Sequence, residues 1–458
     1  SILIALKNNI DLILIETMTD IYETKAAIIA SKEAMEESNI FVPIFATNVY
    51  DENAYLLTGS TPEIAASVLE SLQIDAFGIN CSLGPKQMES IIPRLVSSSM
   101  LPVIVNPNAG LPHIQNNKNV FDITPEDFAQ TVSSFVDMGA VVLGGCCGTT
   151  PEHIKLLVEK CKDKKPFTQK QREAIQKNDY SICSSTQLVQ FNREPILIGE
   201  RINPTGKKLF KEALRNNDIS YIINEGLKQE EAFCHVLDVN VGLPEIDETK
   251  MMVTVIKELQ SVTELPLQID TTEINTMEKA LRIYNGKALV NSVNGKQEVM
   301  NQIFPLVKKY GGMIIALTLD ENGIPETPEE RVKIAKKIIN EAKKYGINKK
   351  DIIIDPLAMT ISTNTNSALT TLNTIKILTE ELHCKTSLGV SNISFGLPKR
   401  EIVTSTFFSM ALQNGLSAAI MNPLSQTMMD CYKSFCALSN FDEQCINYID
   451  YANKRKEQ

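Results

Sequence analysis

The chain has 458 residues, enough for three ordinary domains or for two α/β barrels of roughly 250 residues each. With 43% apolar and 22% charged residues it falls outside the collagenous, low-complexity and disordered classes. A formal net charge of −10 repels phosphate backbones and anionic lipid, and no apolar run approaches the ~18 residues of a membrane span. The expectation is a folded, soluble, cytoplasmic protein with no nucleic acid and no membrane among its partners.

The opening SILIALKNNIDLILIET is broken by Lys7, Asn8, Asn9 and Asp11 and lacks a basic start and a small-residue cleavage site, so it is not a secretory leader. Ser1 stands where a Met would, and the first residues read as a helix end running into a strand, which points to a preceding stretch. From residue 12, β-rich apolar runs alternate with amphipathic helical stretches: LILIET, VPIFATN, AFGINC, PVIVNPN and VVLGGCC mark five β/α units. Two of the helices open with Thr-Pro-Glu (Thr124 to Glu126, Thr150 to Glu152), a Thr N-cap followed by Pro at the first helical position. Five units do not close a barrel of eight, so residues 1–165 are expected to be the C-terminal part of one. Three units, on the order of a hundred residues, would lie upstream of Ser1.

Beyond Lys162 the periodicity fades into Lys-, Gln-, Asn- and Ser-rich sequence, and residues 166–190 are expected to form a linker. The alternation then restarts with ILIGERI, VLDVNV, PLQIDTT, ALVNSV, GMIIALTLD, IIIDPL, TSLGVSN and AAIMNP. Eight units in roughly 270 residues predict a closed (β/α)8 barrel over 191–458. The fold class is therefore α/β, with two TIM-type barrels of which the first is N-terminally incomplete in this chain.

In such barrels chemistry sits where strands end. In the first half Glu16, Asn48, Cys81, Asn106, Asn108, Cys146 and Cys147 fall there. In the second half Glu200, Asn203, Asp238, Asn240, Asp270, Asn291, Asp320, Asp355 and Asn392 do. Any one of these has an ordinary reading as a helix cap or turn residue, but consecutive strand ends that each carry Asp, Asn or Glu on one face are harder to dismiss. Ten cysteines are too few for a disulfide scaffold, and the adjacent pair Cys146 and Cys147 suits a disulfide poorly. Cys81, Cys146 and Cys147 converging on one barrel mouth make a soft-ligand site suited to Zn²⁺, against the plainer possibility of three buried thiols. His113, His153, His235 and His383 are expected to be ordinary surface or helix residues.

GINCSLGP, VNPNAGLP and GGCCGTTPEHI resemble the zinc barrel of the homocysteine S-methyltransferase family. The resemblance implies that Cys81, Cys146 and Cys147 bind zinc, that Asn108 supplies the fourth ligand when homocysteine is absent, and that Glu16 holds the substrate ammonium. In the second half a reduced pterin would need carboxylate acceptors and amides for its ring edge, groups that Asp270, Asn291 and Asp355 carry at three strand ends. IGERINPTGKK, DVNVGLPEID, QIDTTE, NSVNGK, DPLAMT and GVSNISFGLPKRE resemble the pterin-binding barrel of methyltetrahydrofolate methyltransferases and, more distantly, dihydropteroate synthase. That likeness implies Asp270, Asn291 and Asp355 as pterin-ring ligands and Asn203 and Asp238 as lining. It gives Asn392 a catalytic part beside N5, the atom that carries the methyl group.

The order of the two barrels resembles that of the cobalamin-dependent methionine synthase family. The resemblance implies a methyltransferase taking the methyl group of 5-methyltetrahydrofolate through a corrinoid to zinc-activated homocysteine, giving methionine and tetrahydrofolate. No His here has the Asp-x-His-x-x-Gly setting of a cobalamin module, so the corrinoid is expected on a further domain or a separate protein. Two alternatives stand beside this reading: a methyltetrahydrofolate:corrinoid protein methyltransferase with a vestigial first half, and a non-catalytic folate-binding protein. Zinc content separates the first from the main reading, and methyl transfer to cob(I)alamin separates both from the second.

Overall fold

The computed structural model describes residues 1–115, 118–177, 180–191 and 193–456. The chain divides into two compact units, Ser1–Asn178 with Ser185–Leu188, and Asp179–Ser184 with Val189–Gln458.

The first unit contains β1 (Ile13–Met18), β2 (Ile44–Asn48), β3 (Ala76–Asn80) and β4 (Val103–Asn106), a short hairpin of β5 (His113–Gln115) and β6 (Lys118–Val120), and β7 (Val142–Leu143). The five strands expected here form one parallel sheet in the order β1-β2-β3-β4-β7. Helices return the chain between them, which aligns all the strand ends on one side. The Thr-Pro starts behave as expected, because an N-cap hydroxyl satisfies one of the orphan N–H groups of the first turn. Thr61, Thr124 and Thr327 each accept from the N–H three residues on, and Thr150 forms a capping box with His153. β7 is shorter than VVLGGCC suggests. After Leu143 the backbone leaves regular pairing, with Cys146 N–H donating to Pro107 O at 2.8 Å in the loop after β4.

The second unit begins with β8 (Ser181–Cys183) and β9 (Leu188–Gln190). It continues with β10 (Ile196–Ile202), β11 (Val236–Val239), β12 (Leu267–Asp270), β13 (Leu289–Asn294), β14 (Met313–Leu317), β15 (Ile352–Asp355), β16 (Lys385–Gly389) and β17 (Ala418–Met421). The last eight close into a parallel barrel in sequence order, β17 pairing back onto β10 through Ile196↔Ala418 and its neighbours. Such strands are buried on both faces, which is why they read as continuous apolar runs. Inside, Ile196, Ile198, Val236, Leu289, Met313, Ile315, Ile353 and Ala418 form the core. Residues two positions further along several of these strands, including Glu200, Asp238, Asn291 and Asp355, instead line a cavity at the carboxyl ends.

The stretch expected to be a linker carries structure. Gln169–Ile175 is a helix started by a capping box between Thr168 and Gln171, a local signal too short to show as periodicity. Tyr180, Ile182, Val189 and Phe191 join the barrel core at its amino end, and Cys183 bridges to Lys287. Lys287 is itself buried against Asp351 at 2.5 Å. Because Ile182 is fully buried there, Ile182→Val is expected to lower stability by about 1 kcal/mol, measured by urea denaturation of the chain. A change within error would mean that this segment does not plug the barrel. Among the described residues no helix is long and apolar enough to cross a membrane.

Candidate functional site

In the first unit the sulfurs of Cys81, Cys146 and Cys147 lie within 4.8 Å of one another. Cys81 Sγ and Cys147 Sγ are 3.7 Å apart. Thiolates bound tetrahedrally to one zinc at ~2.3 Å would sit ~3.8 Å apart, so the spacing fits such an ion. Burial, followed by hydrogen bonding to Cys81, pushes the Cys146 thiol up to about 12. The hydrogen bond with Cys81, followed by burial, raises Cys147 as well. Three thiols this close resist ionising together, and a divalent cation is the group that would reverse that preference.

The loop after β4 holds the cysteine pair. Asn108 is buried, and its Oδ1 accepts from Cys147 N–H at 3.0 Å; Ala109 N–H donates to Cys147 O at 2.9 Å. One lone pair of the Asn108 oxygen is therefore already committed to shaping the cysteine turn. Gly148 closes that turn at φ +80, where an added Cβ would lie 2.3 Å from the Phe121 ring. Glu16 is exposed near the carboxyl end of β1, and Thr17 after it has φ +62, an unusual value for a β-branched residue. Asn80, the last residue of β3, was not singled out by sequence. It is fully buried and bonds to Thr17, Thr47 and Cys146.

In the second unit a cavity of about 740 Å³ opens at the carboxyl ends of the barrel strands. Asn203, Asp238, Asp270, Asn291, Asp355 and Asn392 all line it. Asp238 accepts from Gln268 Nε2 at 2.6 Å, and Asp270 from Asn240 Nδ2 at 2.9 Å. Burial raises Asp238 well above the usual carboxylate range, with the negative charge of Asp270 adding to it. Burial likewise lifts Asp270 to about 6 and Asp355 to about 7. Asn291 presents an amide that makes no hydrogen bond among the described residues. Asn203 is partly engaged, its Oδ1 accepting from Thr205 N–H at 2.9 Å as in an ordinary Asx turn.

Several side chains that sequence reasoning gave no role hold this arrangement. Arg331, on the helix Pro328–Lys344, is buried; its Nη1 donates to Pro356 O and Leu357 O at 2.7 and 2.8 Å, and its Nε to Pro325 O at 2.9 Å. In the loop it grips, Leu357 N–H donates to Asp355 Oδ1 at 2.7 Å, which leaves Asp355 Oδ2 for a ligand. Glu200 also lines the cavity. Burial raises its carboxyl, while the nearby Lys207 ammonium lowers it. Asn392 lies in a 3-10 turn, Val390–Ser394, beyond the strand that TSLGVSN was expected to form, because β16 stops at Gly389. Arg400 pins that turn by donating from Nη2 to Ser391 O at 2.8 Å. Of the histidines expected to be ordinary surface or helix residues, His153 lies on its helix as a buried capping-box member, and half-buried His235, just before β11, is pushed down to about 4 by burial.

Asp270 with a raised folded value is a stability liability that sets in as pH rises from about 4 to 6 and is complete above that. Asp270→Asn keeps an oxygen for Asn240 and removes the charge. It is expected to stabilise the chain at pH 8 by roughly 1 to 3 kcal/mol and to leave it unchanged near pH 4. Thermal denaturation at the two pH values checks this, and equal effects at both would refute it.

Comparison with known proteins agrees with this division. Residues 1–161 match the homocysteine S-methyltransferase family and residues 199–422 the pterin binding enzyme family. A segment similar to homocysteine S-methyltransferases thus precedes one similar to pterin binding enzymes. Over 431 residues, 90% of its length, it is 31% identical to methionine synthase of Mycobacterium leprae (strain TN), and over 428 residues 31% identical to that of Mycobacterium tuberculosis (strain ATCC 25618 / H37Rv). The methionine synthases are its relatives, and it spans 36% of the length of each of these two. Among solved structures, dihydropteroate synthase from Xanthomonas albilineans is 19% identical with a TM-score of 0.46, covering 57% of this chain and 98% of that one. The enzyme from Vibrio fischeri ES114 is 15% identical with a TM-score of 0.44, with the same coverage.

Proposed function

We propose that this chain carries the two substrate-binding modules of a cobalamin-dependent methionine synthase. The methyl group of 5-methyltetrahydrofolate, bound in the barrel mouth, passes through a corrinoid to homocysteine at the cysteine centre, giving tetrahydrofolate and methionine. The carrying observation is the pairing, in one chain with methionine synthase relatives, of a three-sulfur centre with a mouth where Asp270, Asn291 and Asp355 converge. The domain boundaries that go with this reading are 1–165 and 191–458.

Cys81, Cys146 and Cys147 are the zinc ligands, with the free lone pair of Asn108 as the fourth donor when substrate is absent. Zinc, when bound, supplies a Lewis acid that keeps the homocysteine sulfur a thiolate near neutral pH. Glu16 accepts from the substrate ammonium and so orients the amino acid. In the barrel, Asp355 and Asp270 accept from N–H donors on the pterin edge, Asn291 both donates and accepts, and Asn203 and Asp238 complete the lining. A tertiary amine is a poor leaving group, so N5 must gain a proton before or during transfer. Asn392 holds that proton by accepting from it through its amide oxygen. The corrinoid is bound by a module or protein other than these two units.

Assay of the chain tests this directly. With 5-methyltetrahydrofolate it should methylate cob(I)alamin, and with methylcobalamin it should methylate homocysteine. A folded chain that does neither refutes the proposal. The carboxylates predict the pH dependence of folate binding. Each must be ionised to accept from two donors, so affinity is present above its folded value and lost below. With Asp355 at about 7 and Asp270 at about 6, 5-methyltetrahydrofolate affinity should fall as pH drops from 8 to 5. Calorimetric titration showing constant affinity across that range would remove these groups from the pterin edge.

A further inference from the structure

We propose that Asn80 is a positioning residue that ties the amino-acid end of the cysteine centre to its metal end. It does so by donating an N–H···S hydrogen bond to Cys146 while clamping the backbone at Thr17. The inference rests on reading the three cysteines as a metal site.

Asn80 ends β3 and is fully buried. Its Oδ1 accepts from Thr17 N–H at 2.9 Å and from Thr47 Oγ1 at 2.7 Å; its Nδ2 donates to Thr17 Oγ1 at 2.8 Å and faces Cys146 Sγ at 3.8 Å. The orientation of the amide follows from chemistry. A backbone N–H can only donate, so the atom facing Thr17 N must be the oxygen, and the NH₂ then points at the sulfur.

Thr17 is the residue that needs holding. It is β-branched at φ +62, a conformation that persists only where the surroundings impose it. The two Asn80 bonds, one to its N–H and one to its hydroxyl, are such a constraint. Thr17 directly follows Glu16, so the clamp also fixes the direction in which Glu16 leaves β1. At its other end the same amide offers a donor to Cys146, the kind of partner that orients a thiolate ligand and stabilises its charge. One side chain thus sets both where the amino acid is gripped and how the sulfur ligand is presented.

The test uses the whole chain, stripped of metal under reducing conditions and titrated with Co²⁺. The readouts are the dissociation constant and the sulfur-to-cobalt charge-transfer band. Asn80→Ala should weaken Co²⁺ binding by roughly 10- to 100-fold and move the band to longer wavelength, because the sulfur loses the donor that lowered its electron density. Thr47→Val, which removes one partner of Oδ1 but leaves the N–H on sulfur, should leave the band in place. If Asn80→Ala does not fold, Thr17→Val removes the acceptor that steers Nδ2 and should give the same shift in reduced size. A wild-type band that stays put in both Asn80→Ala and Thr17→Val overturns the role of Asn80, as does an equal shift in Thr47→Val. A wild-type chain with no band overturns instead the metal reading on which the inference rests.

Discussion

Replacing Cys147 by alanine is expected to take the zinc content of the purified chain from about one per chain to background. A catalytic zinc site is held by three strong protein ligands, so removal of one sulfur leaves two thiolates and the weak amide oxygen of Asn108 on a partly exposed rim, a set too poor to retain the ion through purification. The loss should be specific to the cluster. Cys161, a free thiol on the helix Pro151–Cys161 outside the three-sulfur group, can be changed to Ala without altering zinc content. Metal analysis of the wild type and both variants, purified identically, decides the matter. Equal zinc in wild type and Cys147→Ala would remove Cys147 from the ligand set, and a wild type without zinc would refute the centre in this chain.

The reason the barrel was legible in sequence and parts of the site were not is physical. A parallel strand covered on both faces is a continuous apolar run, so IIID or AAIM announces itself, and the polar residue that ends it marks the barrel mouth. That logic located Asp270 and Asp355 without any knowledge of their neighbours. It could not say what their atoms were bonded to. Asn108 and Asn203 stand at the expected ends, yet each already uses its side-chain oxygen on a backbone N–H, Asn203 on Thr205 just beyond it and Asn108 on Cys147 39 residues away, bonds that the strand pattern does not reveal. Asn80 sits inside GINC in plain view, but its partners Thr17 and Thr47 are 63 and 33 residues away. Arg331 reads on its helix as one more charge in PEERVKIAKK, and only burial against the Pro356 and Leu357 carbonyls distinguishes it. The hairpin that fills the amino end of the barrel went unseen because three-residue strands carry too little alternation to register.

Asn392→Ala and Asp355→Ala should damage methyl transfer in different ways, and the difference is the sharper test of the barrel. Asp355 sits at the end of β15 with Oδ1 held by Leu357 N–H, so its contact with the pterin edge is made equally before and during transfer. Its loss should weaken 5-methyltetrahydrofolate binding by about 1.5 to 3 kcal/mol, on the order of 10- to 100-fold in affinity, and leave the rate at saturation nearly unchanged. Asn392 is the exposed residue of the otherwise largely buried 3-10 turn after β16, with no side-chain hydrogen bond among the described residues to compete for it. Its bond strengthens as positive charge develops on N5, and an interaction of that kind acts on the rate rather than on ground-state binding. Asn392→Ala should therefore slow transfer to cob(I)alamin by roughly 10²-fold or more, with folate affinity close to wild type. Single-turnover transfer at saturating folate, measured beside equilibrium binding, separates the two. Wild-type transfer in Asn392→Ala, or wild-type affinity in Asp355→Ala, would mean that the pterin is held by other residues of the mouth.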